Sequence, residues 1–317
     1  MPPIQSIPGM PATPSFTNHP RHWNKKIWAL VFGAIATVVV LTMFFLEWKS
    51  GRLHFSEPTI LLSPSEAPLF QALTINLGGK TTSPILVEGL GTAVVTDMAP
   101  NKQRNYYLIA NQSLTESNLY SSDSHNPQAG LSQRTFSHTT KFSLSYDPQS
   151  GAVAYVSKKG SEPGVITLLL QGTTTEKLLG EGSNPEFLKG GFFVTYQKGN
   201  EVLSVNVHTK ETHTLFTIPE GGTYAVDGEG LRAVVYDPTT RTLQYFSLEG
   251  MTSASFTTFK KEEGVAIQRR ILGISGDTLA SLIQAEEGIS ITLGKDKPVF
   301  FGGVTAHEHS RLTIYHD

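Results

Sequence analysis

Five glutamates recur at turns between successive groups of predicted strands, and their spacing suggests a shared site. They are Glu88, Glu181, Glu220, Glu263 and Glu308, and a glycine follows each of the first four. A ring of carboxylates at one mouth of a channel would attract Ca²⁺ or a basic partner. The alternative is a simple turn preference, because Glu-Gly occurs seven times and three of these fall in predicted hairpins. The sequence leaves both interpretations open.

A second candidate site is the tripeptide His307-Glu308-His309. Residues two apart in an extended strand lie on the same face, so the two imidazoles would have a workable geometry for Zn²⁺ or Cu²⁺. His316 and Asp317 are close in sequence, but no third ligand is identifiable. We therefore expect no cofactor, and keep Ca²⁺ or a metal at His307 and His309 as the alternative.

The sequence contains none of the common catalytic motifs. It has no Gly-x-Ser-x-Gly, no glycine-rich phosphate loop, no HExxH and no dinucleotide fingerprint. The absence of cysteine excludes a thiolate nucleophile and a Cys-based zinc site. The 25 basic residues against 27 acidic ones give a formal charge of −2, which argues against a nucleic-acid partner. These observations favour a non-catalytic function.

The elements that would position these residues are short strands in repeated groups of four. Between Pro58 and Asp317, short apolar or alternating runs are followed by turns about every ten residues, which is typical of an all-β chain. Groups of four strands start near residues 91, 141, 184, 222 and 265. The spacing of these groups is that of β-propeller blades, and a region of this length accommodates about six of them.

The two ends of this region predict one further blade that closes the ring. Residues 58–90 supply about three strands, at 59–63, 70–77 and 85–87, and residues 311–316 supply a fourth. Closure by both termini would remove the exposed edges of an open array. We predict an all-β fold, a β-propeller of six four-stranded blades, with five to seven allowed. A β-sandwich or two stacked β domains is the alternative.

Two segments carry a resemblance to a known family. Residues 142–148, FSLSYDP, are followed by AVAYVS at 152–157, and NPEF at 184–187 precedes GFFV at 191–194. This arrangement of strand, turn and strand resembles the TolB-type and other PD40/WD40-like propellers. The resemblance implies their architecture over roughly residues 140–300. The chain lacks the family's intact Ser-Pro-Asp-Gly turn and the Trp-Asp pair of WD40 repeats, so no residue-level function is carried over.

The N-terminal region contains a predicted membrane anchor. Residues 27–46 are 20 residues without a charge, which at about 1.5 Å per residue span roughly 30 Å, the thickness of the hydrocarbon core. Trp28 and Trp48 lie near its ends, as interfacial aromatics do. Arg21, Lys25 and Lys26 precede it, which places the N-terminus in the cytoplasm. A cleaved signal peptide and a buried core helix are the alternatives.

The sequence therefore predicts four parts. Residues 1–24 form a disordered, proline-rich cytoplasmic tail, 25–48 a transmembrane helix, 49–57 a linker and 58–317 an extracytoplasmic propeller. Membrane lipid contacts residues 27–46, and the propeller serves as a platform for a protein or a component of the cell envelope. The alternative is a propeller-type hydrolase or lyase that uses acidic and histidine residues at one mouth of the channel.

Overall fold

The described part of the chain consists of β-strands and their connections. The computed structural model describes residues 58–87, 93–100, 104–124, 130–261, 270–306 and 310–315. Within these ranges, no helix has the length and apolar character needed to cross a bilayer. The predicted anchor at 27–46 and its flanking residues lie outside the described residues, as do the predicted tail and linker.

The described strands form six antiparallel sheets of four, as the sequence predicts. In chain order they are β1 Thr59–Pro64, β2 Leu73–Asn76, β3 Thr81–Pro84, β4 Val94–Ala99, β5 Arg104–Ala110, β6 Ser117–Asp123, β7 Ser132–Gln133, β8 Thr140–Tyr146, β9 Val153–Lys158, β10 Val165–Leu169, β11 Glu176–Glu181, β12 Ser183–Phe187, β13 Phe193–Lys198, β14 Glu201–Asn206, β15 Thr212–Thr217, β16 Thr223–Asp227, β17 Arg232–Asp237, β18 Thr242–Ser247, β19 Ser255–Lys261, β20 Arg270–Ser275, β21 Thr278–Ala285, β22 Gly288–Leu293, β23 Val299–Gly302 and β24 Ser310–Tyr315. Four consecutive strands make each of blades 2 to 6, from β4–β7 to β20–β23.

Blade 1 joins the two ends of the propeller. Its strand order is β24-β1-β2-β3, and β24 pairs with β1 over six residues, from Thr59 opposite Tyr315 to Pro64 opposite Ser310. This confirms the predicted closure. The prediction of a strand at 85–87 is wrong, because the third strand of the chain is β3 at Thr81–Pro84.

The turn between β2 and β3 explains this difference. The backbone N–H of Gly79 donates to the Asn76 side chain at 2.7 Å, so the chain reverses at once and Thr81 pairs with Asn76. The resulting edge strand is polar and largely exposed. The sequence prediction followed the apolar residues instead and placed the strand too late.

The core consists of apolar clusters, several of which lie between neighbouring blades. The cluster of blades 3 and 4 includes Phe142, Val156, Phe187 and Val194. It also includes Leu69, which is 3% exposed and belongs to the connection between β1 and β2 in blade 1. The connection at residues 65–72 therefore contacts other blades: Ala72 donates to the Val95 carbonyl of blade 2, and Glu66 lines a small cavity with residues of blades 3 and 4.

Candidate functional site

A single long cavity runs along the centre of the described propeller. Its volume is about 1070 Å³, and residues of β24, β4, β8, β12, β16 and β20 line it, so each blade contributes its innermost strand. The lining extends from Thr223 and Ser310, where their strands begin, to Asp227, Ser275 and Tyr315, where their strands end. Ser65 and Glu66, from the connection that reaches toward blades 3 and 4, line the first of these ends. We call this cavity the channel.

Three consecutive inner strands carry a β-bulge beside a polar residue. The register with the neighbouring strand shifts just before Asp97 in β4, before Ser145 in β8 and before Glu186 in β12. A bulge adds an unpaired residue and re-aims the side chains around it. Ser143 and Asn184, within two of these bulges, have positive φ angles of 56° and 52°. The bulges bring polar groups into a channel wall that would otherwise be regular strand.

Side chains of adjacent blades satisfy the polar groups at these bulges. The backbone N–H of Leu144 donates to Asp97 Oδ2 at 2.7 Å, and that of Phe187 donates to Ser145 Oγ at 3.1 Å. The Ser143 hydroxyl donates to Asn184 Oδ1 at 3.1 Å. Buried backbone groups need such partners, because an unpaired donor costs free energy. The hydrogen bonds link blades 2, 3 and 4 around half of the channel.

Asp97 is a fully buried carboxylate at 0% exposure. Besides Leu144, the backbone N–H of Met98 donates to it at 2.9 Å. Burial raises the pKa of Asp97, while the positive charge of Arg311 and the two backbone donors act to lower it. Asp97 therefore fixes the local geometry of blades 2 and 3, and it interacts electrostatically with Arg311.

Glu186 and Arg311 face each other across the channel. Arg311 Nη2 lies 3.7 Å from Glu186 Oε2, and its guanidinium also donates to Thr313 Oγ1 at 3.1 Å. Burial acts to lower the pKa of Arg311, but the Asp97 and Glu186 carboxylates raise it overall. Burial raises the pKa of Glu186 to about 7, although Arg311 and the Ser145 hydroxyl act against this shift. Glu186 therefore titrates near neutral pH.

Blade 5 presents a second carboxylate and a tyrosine next to Glu186. Asp227, at the end of β16, raises the pKa of Glu186 further because the two negative charges repel each other. Burial raises the pKa of Tyr224, which also lies on β16. A Cβ at Gly228 would collide with the carbonyl oxygen of Phe187, so glycine allows β16 to approach β12 closely.

Of the five glutamates of the predicted ring, the structure describes Glu181 and Glu220. Glu181 is exposed at the end of β11 and lines a separate cavity of about 280 Å³ together with Lys158 and Lys198. Glu220 is exposed in the connection between β15 and β16, and neither residue lines the channel. Glu88, Glu263, Glu308, His307 and His309 lie outside the described residues. Among the described residues, no group of three or more His, Asp or Glu side chains is arranged to hold a metal ion.

Sequence reasoning missed the polar residues that line the channel, namely Glu186, Tyr224, Asp227, Arg311 and Tyr315, and it missed Asp97, which is fully buried next to them. One signal was available, because Asp97, Glu186 and Arg311 are charged residues next to or within apolar first strands. The side chain of a charged residue at such a position faces either the apolar interface between blades or the channel. Burial of a charge in the apolar interface costs free energy, so the channel is favoured. The bulges that aim these residues have no comparable signature in the sequence.

The six sheets and their common channel define a six-bladed β-propeller. Among solved structures, the fold is similar to TolB from Acinetobacter baumannii, with a TM-score of 0.54 and 11% identity over 81% of this chain and 66% of the TolB chain. It is also similar to a chain in the crystal structure of a nidogen/laminin complex, with a TM-score of 0.53 and 10% identity over 82% of this chain and 98% of that one. The chain thus has the TolB-like propeller fold that the sequence resemblance implies. The sequence matches no protein-family model, and no curated protein is significantly similar to it.

Proposed function

We propose that this protein is a membrane-anchored propeller that binds a protein, or another component of the cell envelope, at its channel face on the extracytoplasmic side. The single observation that carries the proposal is the channel, about 1070 Å³ in volume and lined by all six blades. Concave cavities with a few convergent polar groups are the usual binding sites of proteins. The second structural neighbour comes from a complex of two proteins, which supports protein binding by this fold.

The sequence supports the membrane part of the proposal. The uncharged run at 27–46 and the basic residues Arg21, Lys25 and Lys26 predict a span with the propeller outside the cytoplasm. Protease added to intact cells, after any outer barrier is breached, should digest residues 58–317 while the short tail remains protected. A C-terminal part that stays undigested under these conditions would contradict the topology.

Site-specific photo-crosslinking in the native membrane tests the platform. A photo-reactive amino acid at Glu66 or at Glu229, both of which line the channel, should give a discrete adduct with the partner. The same amino acid at Lys177, exposed on the outermost strand of blade 3, is the control. Absence of an adduct from both channel positions, or an equal adduct from Lys177, would argue against binding at the channel face.

One observation favours a second candidate function, a propeller-type hydrolase or lyase. Glu186 has a pKa of about 7 and lies in the channel opposite Arg311, as a general acid–base group would. Turnover of a panel of polysaccharide and ester substrates, abolished in Glu186→Gln but retained in Glu220→Gln, would support it. Absence of turnover across the panel would leave the platform as the better account.

A further inference from the structure

The two ends of the channel differ in their exposure to solvent. Among the described lining residues, Pro148 and Glu229 are the exposed ones, and both lie just past the last residues of inner strands, β8 and β16. We call this the open end, to which Ser275 also belongs. At the opposite end, where the strands of Thr223 and Ser310 begin, every described lining residue is buried or half-buried. We call this the covered end, because protein rather than solvent lies over it.

The connection between β1 and β2, residues 65–72, contributes this cover. Its first residues, Ser65 and Glu66, line the covered end of the channel. Glu66 also lines the smaller cavity of about 280 Å³, so it forms part of the wall between the two cavities. Cα atoms of β1 lie within 8 Å of β8, although blade 2 separates blades 1 and 3 in chain order. The chain therefore passes over the channel when it leaves β1.

This connection is longer than the strands it joins require. It has eight residues, at 65–72, whereas the corresponding connections of the other blades have two to six, from 199–200 to 111–116. Two residues are enough to join an antiparallel pair. Compact loops of this length that are packed by their own side chains are frequently functional.

The connection is packed like part of the core. Leu69 is 3% exposed and Ala72 is fully buried. The N–H of Ala72 donates to the Val95 carbonyl at 2.9 Å, and the N–H of Ile85 donates to the Ala72 carbonyl at 3.3 Å. Connecting segments usually run over the surface with exposed side chains. These contacts instead hold the second half of the connection in place, with Leu69 as its large buried side chain.

We propose that residues 65–72 are a lid that closes one end of the channel, with Leu69 as its anchor, and that a partner enters through the open end. The backbone bonds of Ala72 fix one end of the lid, and β1 fixes the other. Loss of the contacts of Leu69 therefore releases the part between them, and movement of Glu66 joins the channel to the smaller cavity. This inference rests on the proposed function, since it names the route by which the partner reaches the channel.

Labelling of single cysteines tests the lid, because the natural chain contains no cysteine. Thr223→Cys places a thiol at the covered end and Ser275→Cys places one at the open end, and both positions are half-buried. A bulky maleimide such as fluorescein maleimide is added to the full-length chain in detergent. We expect Ser275→Cys to react about tenfold faster than Thr223→Cys, since the lid blocks the direct path to the latter.

Replacement of the anchor should remove this difference. Leu69→Ala should accelerate labelling of Thr223→Cys about tenfold or more, because the lost buried contacts shift the lid toward an open state, and it should leave Ser275→Cys unchanged. Leu69→Met nearly conserves the side-chain volume and should leave Thr223→Cys slow. Leu86→Ala is the second control, because Leu86 is 81% exposed.

Three results would overturn the lid. They are Thr223→Cys that reacts as fast as Ser275→Cys, a folded Leu69→Ala variant in which Thr223→Cys stays slow, and equal acceleration of both cysteines by Leu69→Ala. Labelling needs no partner, so these results would leave the platform to the crosslinking experiment. Absence of a crosslink from Glu66 and Glu229 together with labelling that depends on Leu69 would instead remove the platform and retain the lid.

Discussion

At the scale of single residues, Asp97 is the group whose loss should cost the most stability. Its carboxylate accepts the N–H of Leu144 from blade 3 and balances the buried charge of Arg311. Asp97→Ala leaves the Leu144 N–H and the Arg311 guanidinium without this carboxylate. Removal of one partner of a buried charged pair costs about 3 kcal/mol. Urea unfolding should show this decrease in the free energy of unfolding. Asp296→Ala, at an exposed turn, should change it by less than about 0.5 kcal/mol.

Glu186 should make stability fall as the pH rises. Its folded pKa of about 7 lies above the ordinary glutamate pKa of 4.5, so folding favours the protonated form. The stabilisation is fully present below about pH 4.5 and is lost as the pH increases through about 7. Part of the side chain contacts solvent, so we expect a loss on the order of 2 kcal/mol between pH 5 and pH 8.

The comparison with Glu186→Gln isolates this effect. The glutamine variant cannot ionise, so its free energy of unfolding should fall less between these pH values than that of the natural chain. Asp97, whose pKa is also raised, remains in both proteins and contributes in the same direction to each. Parallel pH profiles for the two proteins would show that Glu186 has no raised pKa in the folded state.

At the scale of elements, we expect Leu69 to anchor the connection at residues 65–72, whose first residues, Ser65 and Glu66, line one end of the channel. Leu69→Ala removes most of the buried side chain and should weaken this attachment by about 2 to 3 kcal/mol. Hydrogen exchange should then accelerate at the N–H of Ala72, which donates to the Val95 carbonyl at 2.9 Å. Leu86→Ala is the matched control, because Leu86 is 81% exposed. Equal exchange in both variants would show that Leu69 does not anchor the connection.

The strands and turns also show which parts of the structure the sequence could predict and which it could not. Turn residues such as Lys198-Gly199-Asn200 and Gly276-Asp277 follow local rules, and strands such as β14 and β21 begin where these turns end. The polar edge strand β3 was misplaced because its residues carry no apolar signal. The placement of Asp97 depends on a bulge in β4, and this bulge depends on a contact with Leu144 of blade 3 that has no local signal in the sequence. The channel lining thus depends on contacts between blades, which one sequence does not encode locally.

At the scale of the whole molecule, closure of the ring depends on β24. This strand pairs with β1 along its length, and Leu312 and Ile314 pack with Ile60 and Leu62 in one apolar cluster. It also carries Arg311, so the closing strand supplies the cation of the channel. Closure and the charge balance of the channel are therefore contributed by the same six residues.

Removal of residues 310–317 should convert the propeller into an open array. The truncation leaves β1 with an unpaired edge and exposes Ile60 and Leu62, and unpaired apolar edges promote association. We expect loss of a single cooperative unfolding transition, together with self-association in sedimentation. A synthetic peptide of residues 310–315 should restore the monomer by adding the missing strand, and one with Leu312→Asp and Ile314→Asp should not, since burial of those side chains drives the pairing. A truncated chain that remains monomeric with an unchanged unfolding midpoint would mean that blades 2 to 6 hold the ring together without closure.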